Sequence, residues 1–91
     1  MADYQKLQEL LAKESYPHRY AFKVIGKNTP QFATGVSELV AAYPGLSEDG
    51  RRPSQTATHM SVTYSVLAET PEAIIGIYQQ LALVPDVVMV L

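Results

Sequence analysis

The stretch His18–Tyr43, HRYAFKVIGKNTPQFATGVSELVAAY, decides the fold. Its first eight residues alternate: Tyr20, Phe22 and Val24 share one face, and Arg19, Ala21 and Lys23 take the other, which is the period of a half-buried strand. Gly26 ends that run and Lys27-Asn28 makes a short loop. Thr29-Pro30 then opens a helix, since the Thr hydroxyl can accept from a free backbone N–H and Pro at the first helical position forfeits no bond. Phe32, Val36, Leu39, Val40 and Tyr43 recur at i, i+4, i+7, i+8 and i+11, one buried face. Pro44-Gly45 stops the helix. The stretch is one strand-to-helix unit.

A second unit follows. His59–Leu67 alternates with Met60, Val62, Tyr64 and Val66 on one side and Ser61, Thr63 and Ser65 on the other. Thr70-Pro71-Glu72 repeats the helix start, with Glu72 complementing the helix dipole. Ile74, Tyr78 and Leu81, flanked by Ile75 and Ile77, make its buried stripe. Gly35 and Gly76 sit inside the two helices at about 1 kcal/mol each relative to Ala, explained by close packing. Val84-Pro85 ends the helix, and Val87–Leu91 forms a closing strand apolar on both faces.

Between the units, residues 44–52 are the most polar and flexible segment. Arg51–Thr56 reads as a weak strand, which Pro53 confines to a sheet edge or a strand start. Thr56–Thr58 is the hairpin turn. Ahead of both units, residues 3–14 read as a short amphipathic helix with Asp3 as N-cap and Tyr4, Leu7, Leu10 and Leu11 as its docking stripe.

The order is β-α-β-β-α-β after an N-terminal helix. Right-handed crossovers then give an α+β ferredoxin-like sandwich: a four-stranded antiparallel sheet with two helices on one face, strands one and three central. The covered face is Tyr20, Phe22, Val24, Val62, Tyr64, Val66, Val87 and Met89. The open face is Ala21, Lys23, Ser61, Thr63, Ser65, Val88 and Val90. At 91 residues the chain is expected to be one domain, 1–91, with a helical extension over 1–15.

Composition excludes more than it assigns. Hydrophobic residues at 47% and charged ones at 18% describe a globular chain. Seven basic residues against nine acidic give no excess to hold a phosphate backbone. The strand aromatics lie with the core, so nucleic acid is not an expected partner. Zero cysteines remove disulfides, thiolate metal sites and a Cys nucleophile. No apolar run reaches membrane-spanning length and no leader pattern opens the chain, so a cytoplasmic, membrane-free protein is expected. His18 and His59 have no acidic residue at metal-ligand spacing, so no metal or other cofactor is expected. No nucleophile, acid or base stands in a recognisable constellation, and the chain is read as a non-enzyme.

Two surfaces remain. The turn Gly26-Lys27-Asn28-Thr29 offers helix-start N–H groups with Lys27 as counter-charge, a candidate site for a carboxylate or phosphate. Arg51-Arg52 offers a weaker one. On the open face, Lys23, Ser61, Thr63, Val88 and Val90 are interface candidates. The charge-free last strand could extend the sheet across a homodimer.

Tyr16-Pro17, Tyr20-Ala21-Phe22-Lys23-Val24-Ile25-Gly26, Pro30, Pro53-Ser54, Ser61-Val62-Thr63 and Met89-Val90-Leu91, in that order and spacing, resemble the YbeD-like family of small bacterial proteins of unknown function. The resemblance covers about Leu7 to Leu91. It implies a ferredoxin-like fold similar to ACT regulatory domains and a regulatory role, in some members linked to lipoate metabolism; it carries no catalytic residue. Ala57 and His59 depart from it, standing where the family pattern has a turn glycine and a tyrosine. About three residues are inserted around Lys13 to Ser15. The expected function is a non-catalytic, ACT-like module that binds a small metabolite or a partner enzyme. The alternative is an assembly protein working through its open sheet face and last strand.

Overall fold

The computed structural model describes residues 4–91. Helix α1 spans Gln5–Leu11, β1 His18–Lys27, α2 Pro30–Ala42, β2 Leu46–Pro53, β3 His59–Ala68, α3 Pro71–Ala82 and β4 Val87–Val90. The strands pair antiparallel in the order β2-β3-β1-β4, which puts β1 and β3 at the centre as expected. This is the ferredoxin-like sandwich. No described helix is long and apolar enough to cross a membrane.

Both Thr-Pro starts fold as read. Thr29 and Thr70 are extended, and each side-chain oxygen accepts from a backbone N–H three residues on, Phe32 and Ala73, at 3.2 Å. Phe32, Val36 and Leu39 of α2 and Ile74, Ile77 and Leu81 of α3 then bury against Phe22, Val24, Val62, Tyr64 and Val66 of the central strands. Val24, Val36, Val62, Tyr64, Ile74 and Leu81 are fully excluded from solvent. Burial of such side chains, about 1.5–3 kcal/mol each, supplies the driving force.

Helix α1 ends at Leu11 rather than Glu14. It docks on α3, with Leu11 buried and the Tyr4 and Tyr78 rings 6.4 Å apart, while Leu10 leaves the stripe and is exposed. The proposed cap Asp3 lies outside the described residues. Because α1 joins the helix layer, it leaves the open sheet face uncovered.

Three readings need correction. First, β1 does not end at Gly26. It continues through Lys27, because Gly26 and Lys27 stay in register with Met60 and His59; glycine is required at 26 because a Cβ there would collide with Phe32 Cδ1 and Cε1 and come within 2.9 Å of the Asp86 carbonyl oxygen. Second, the polar segment read as a flexible loop is strand β2, beginning at Leu46 and ending at Pro53 instead of spanning Arg51–Thr56. Leu46 is its only buried residue, and an edge strand can pair through its backbone while its charged side chains stay in water. Third, β4 carries an extra residue. Gly26 pairs with Val87 but Ile25 pairs with Met89, so Val88 is bulged out and the alternation inverts. Val90, opposite Val24, packs toward the core, and Met89, opposite Ile25, faces the open side. Val90 is thereby removed from the open face and Met89 from the covered one.

The two helix glycines differ. A Cβ on Gly35 would lie 2.7 Å from Val84 Cγ1, so close packing explains it; a Cβ on Gly76 would meet nothing within 4 Å, and packing does not.

Candidate functional site

The first strand-to-helix turn is committed to the chain itself. Lys27 N–H donates to the Asp86 carbonyl at 2.9 Å, Asn28 N–H to Thr58 O at 3.1 Å, and Asn28 Nδ2 to Ala57 O at 3.0 Å. The Thr29 hydroxyl, besides capping α2, donates to Asp86 Oδ2 at 2.7 Å. A carboxylate already stands at the helix start, and it belongs to the protein. Of the expected anion-binding set, Gly26 packs beneath Phe32, the Lys27 and Asn28 N–H groups and Asn28 Nδ2 donate within the chain, and the Thr29 hydroxyl donates to the Asp86 carboxylate.

The Arg51-Arg52 pair is split by the pleat. Arg51, opposite Val62, lies on the helix side of β2 and grips Glu48 with two bonds, Nε to Oε2 at 2.7 Å and Nη2 to Oε1 at 2.8 Å, while Nη2 also donates to Ser37 Oγ at 2.6 Å. That guanidinium holds the Glu48 carboxyl below its ordinary range. Arg52, opposite Ser61, projects to the other face.

The register assembles that other face. Reading across the sheet, one row is Lys23–Thr63–Gly50, the next Met89–Ile25–Ser61–Arg52, the next Lys27–His59. Strands lie about 4.8 Å apart and same-face rows about 7 Å apart, so Lys23, Lys27, Arg52 and His59 surround the Ile25–Ser61 pair. A recess of about 230 Å³ opens here, bounded by Lys23, Ile25, Arg52, Ser54, His59 and Ser61. The hairpin is tied down around it. His59 N–H donates to Ser54 Oγ at 3.1 Å, His59 Nδ1 bonds Thr58 Oγ1 at 3.1 Å, and Ser61 Oγ donates to Arg52 O at 3.3 Å. Of the interface candidates, Lys23, Ser61 and Thr63 meet on this face, Val88 stands at its β4 edge, and Val90 is absent from it. Arg52 and His59 were not singled out together, although counting back from the hairpin turn puts both opposite β3 or on it.

Charge is distributed unequally between the two layers. Helices α2 and α3 carry Glu38 and Glu72 and no Lys or Arg. Outward positions of the paired strands carry Arg19, Lys23, Lys27, Arg52 and His59 and no carboxylate; Asp49 sits in the β2 bulge, out of register. No catalytic grouping accompanies this. Among the described residues no three His, Cys, Asp or Glu side chains are grouped to hold a metal. The groups displaced furthest from their ordinary pKa are tyrosines. Burial pushes Tyr64 up, its hydroxyl donating to Val36 O at 2.6 Å. Burial likewise raises Tyr78, whose hydroxyl shares a 2.8 Å hydrogen bond with Tyr20.

Comparison with known proteins agrees with this fold. The C-terminal domain of the MgtC protein from Mycobacterium tuberculosis, a solution structure, superposes with a TM-score of 0.56 at 17% identity, over 86% of this chain and 88% of that one. A UPF0250 protein of Bordetella pertussis is 33% identical over 79 residues, 84% of this chain and 87% of its own length. A UPF0250 protein of Haemophilus influenzae is 32% identical over 90 residues, 98% of this chain and 95% of its own. The family resemblance carried by the sequence motifs is thus borne out. Residues 12–91 match the model of DUF493, described as a protein of unknown function, and the chain belongs to that family of small bacterial proteins.

Proposed function

We propose that the protein is a non-catalytic, ACT-like regulatory module whose working surface is the open face of its sheet, where it takes a small metabolite or a surface of a partner enzyme. The observation that carries this reading is the segregation of charge. A chain of net charge −2 keeps Lys and Arg out of helices α2 and α3, and Asp and Glu out of the register-matched outward strand positions. A face with that asymmetry steers anionic groups toward it. Tyr64, whose pKa burial raises, favours a non-catalytic role, because its hydroxyl is bonded to Val36 O inside the core instead of poised beside a cavity.

The test is a thermal-shift panel of organic acids, amino acids and nucleotides. It is run on the natural chain, on Lys23→Glu/Arg52→Glu, and on Glu38→Lys/Glu72→Lys. A ligand at 100 times its Kd adds about 2.7 kcal/mol. Stabilisation is expected to vanish in the sheet-face variant and persist in the helix-face one. A flat panel, or the reverse pattern, would sink the reading.

A second reading, assembly through β4, has its own observation. Val88, Met89 and Leu91 are 55%, 48% and 57% exposed along an edge without charge, whereas the β2 edge is guarded by Asp49, Arg52 and Pro53. It predicts a concentration-dependent dimer by light scattering that Val88→Lys or Met89→Lys dissociates without unfolding. A monomer at high concentration contradicts it.

A further inference from the structure

We infer that the recess at the hairpin end of the open face, between Lys23, Arg52 and His59, is a binding site for a compact oxyanion, a carboxylate or phosphate group, with a short apolar portion laid along Ile25. This rests on the open-face reading above and names the ligand class for that face.

Four observations converge on this one place. Lys23 and Arg52 stand in neighbouring rows on either side of the Ile25–Ser61 pair, and His59 stands one row beyond Ser61 on its own strand. Gly50 fills the position beside Thr63 with no side chain, and a Cβ there would meet nothing within 4 Å, so the sheet is open on that flank of Arg52. The recess lies here, lined by the same residues together with Ser54, Ser61 and the apolar Ile25, Pro53 and Met60. His59 uses Nδ1 toward Thr58, which makes Nε2 the ring nitrogen available to a ligand.

Lys23 and Arg52 carry no ion pair among the described residues, as is also true of Arg19 and Lys27 on the same face; the recess is what distinguishes them. Arg51 is neutralised by Glu48 and tied to α2. Lys23, Arg52 and His59 share their face with no register-matched carboxylate. A solvated basic patch needs no cavity and no apolar floor; Ile25 is half-buried beneath this one, with Met89 beside it in the same row. An oxyanion between a guanidinium fork and an ammonium gains charge-assisted bonds from both, and the Ser54 hydroxyl, which only accepts from the His59 N–H, keeps its proton to donate. The apolar floor suits a short aliphatic stem better than a second charge.

Isothermal titration at low salt, with four probes, tests this: inorganic phosphate, pyrophosphate, hexanoate and its uncharged counterpart hexanamide. The proteins are the natural chain, Lys23→Ala, Arg52→Ala, and Lys13→Ala as a cation control away from the sheet; circular dichroism verifies that each is folded. The inference expects one-to-one binding of a phosphate or a carboxylate probe, with hexanamide silent. Affinity should fall about tenfold or more in each of Lys23→Ala and Arg52→Ala, a loss of about 1.4 kcal/mol, and stay unchanged in Lys13→Ala. Added salt should weaken it. Which probe binds separates a phosphate ligand from a carboxylate one. Hexanamide binding as well as hexanoate, or affinity that survives both substitutions, overturns the oxyanion inference; the open-face reading survives that result where an uncharged or larger ligand of the thermal-shift panel still shifts amides on the open face and not those of α2 and α3. Silence from all four probes also overturns it.

Discussion

Replacing Tyr64 with Phe should make the protein less stable at neutral pH and more stable in strong alkali. The side chain is fully buried and its hydroxyl donates to Val36 O, tying β3 to the middle of α2. At pH 7 the substitution removes that bond at a cost of about 1 kcal/mol. Burial holds the Tyr64 pKa above its ordinary value of 10.0, with the Glu48 charge adding to the effect and Arg51 opposing it. The phenol therefore ionises more readily in the unfolded chain than in the folded one. Its contribution is fully present below pH 10 and is lost as pH rises from there toward the folded pKa. The loss runs at about 1.4 kcal/mol per pH unit once the unfolded phenol is ionised. Phe carries no such liability, so the two stability curves should cross where the natural chain has lost about 1 kcal/mol, near pH ~10.7. Urea unfolding at intervals from pH 7 to 11.5, followed by circular dichroism, gives both curves. A gap that stays constant through pH 11.5 would refute the reasoning, because Tyr64 would then ionise as freely folded as unfolded.

Three substitutions follow from the same packing. Gly26→Ala drives a methyl into the Phe32 ring and toward the Asp86 carbonyl, and should cost about 1–3 kcal/mol in denaturant unfolding; an unchanged midpoint would contradict the close approach. Gly76→Ala places a methyl in open space on α3 and should raise stability by up to about 1 kcal/mol, read as a higher midpoint at constant m. Ala57→Gly should also stabilise, by a few tenths to about 1 kcal/mol, since Ala57 sits at φ 59° in the hairpin turn where glycine carries no steric penalty; a lower melting temperature would argue against that conformation.

The parts of the fold that were legible in the sequence are those where one local signal and the packing agree. Thr29-Pro30 and Thr70-Pro71 are read correctly because capping, Pro at the first helical position and the apolar stripe behind it all indicate a helix start. Strand β2 was displaced by several residues because its stability comes from backbone pairing with β3 at an edge, and its sequence LSEDGRRP has one buried side chain to announce it. The swap of Met89 and Val90 follows from a single bulged residue at Val88, which no periodicity in VVMVL reveals. The candidate site was half legible. Lys23 and Ser61 were placed on the open face, but Arg52 joins them only through the β2–β3 register, which misplacing β2 hid. The first turn looked like an anion site because its donors are generic to helix starts, and its acceptor, Asp86, comes from 57 residues farther along than Thr29.

Amide chemical-shift mapping on isotope-labelled protein, titrated with pyrophosphate and separately with hexanoate, tests most directly the claim that the open sheet face is the working surface. The account predicts saturable shifts at Lys23, Ile25, Arg52, His59 and Ser61, with the amides of α2 and α3 unmoved. Shifts gathered instead at Thr29 and Phe32 at the start of α2, or along Gly35, Leu39 and Val84 between the helices, would contradict it.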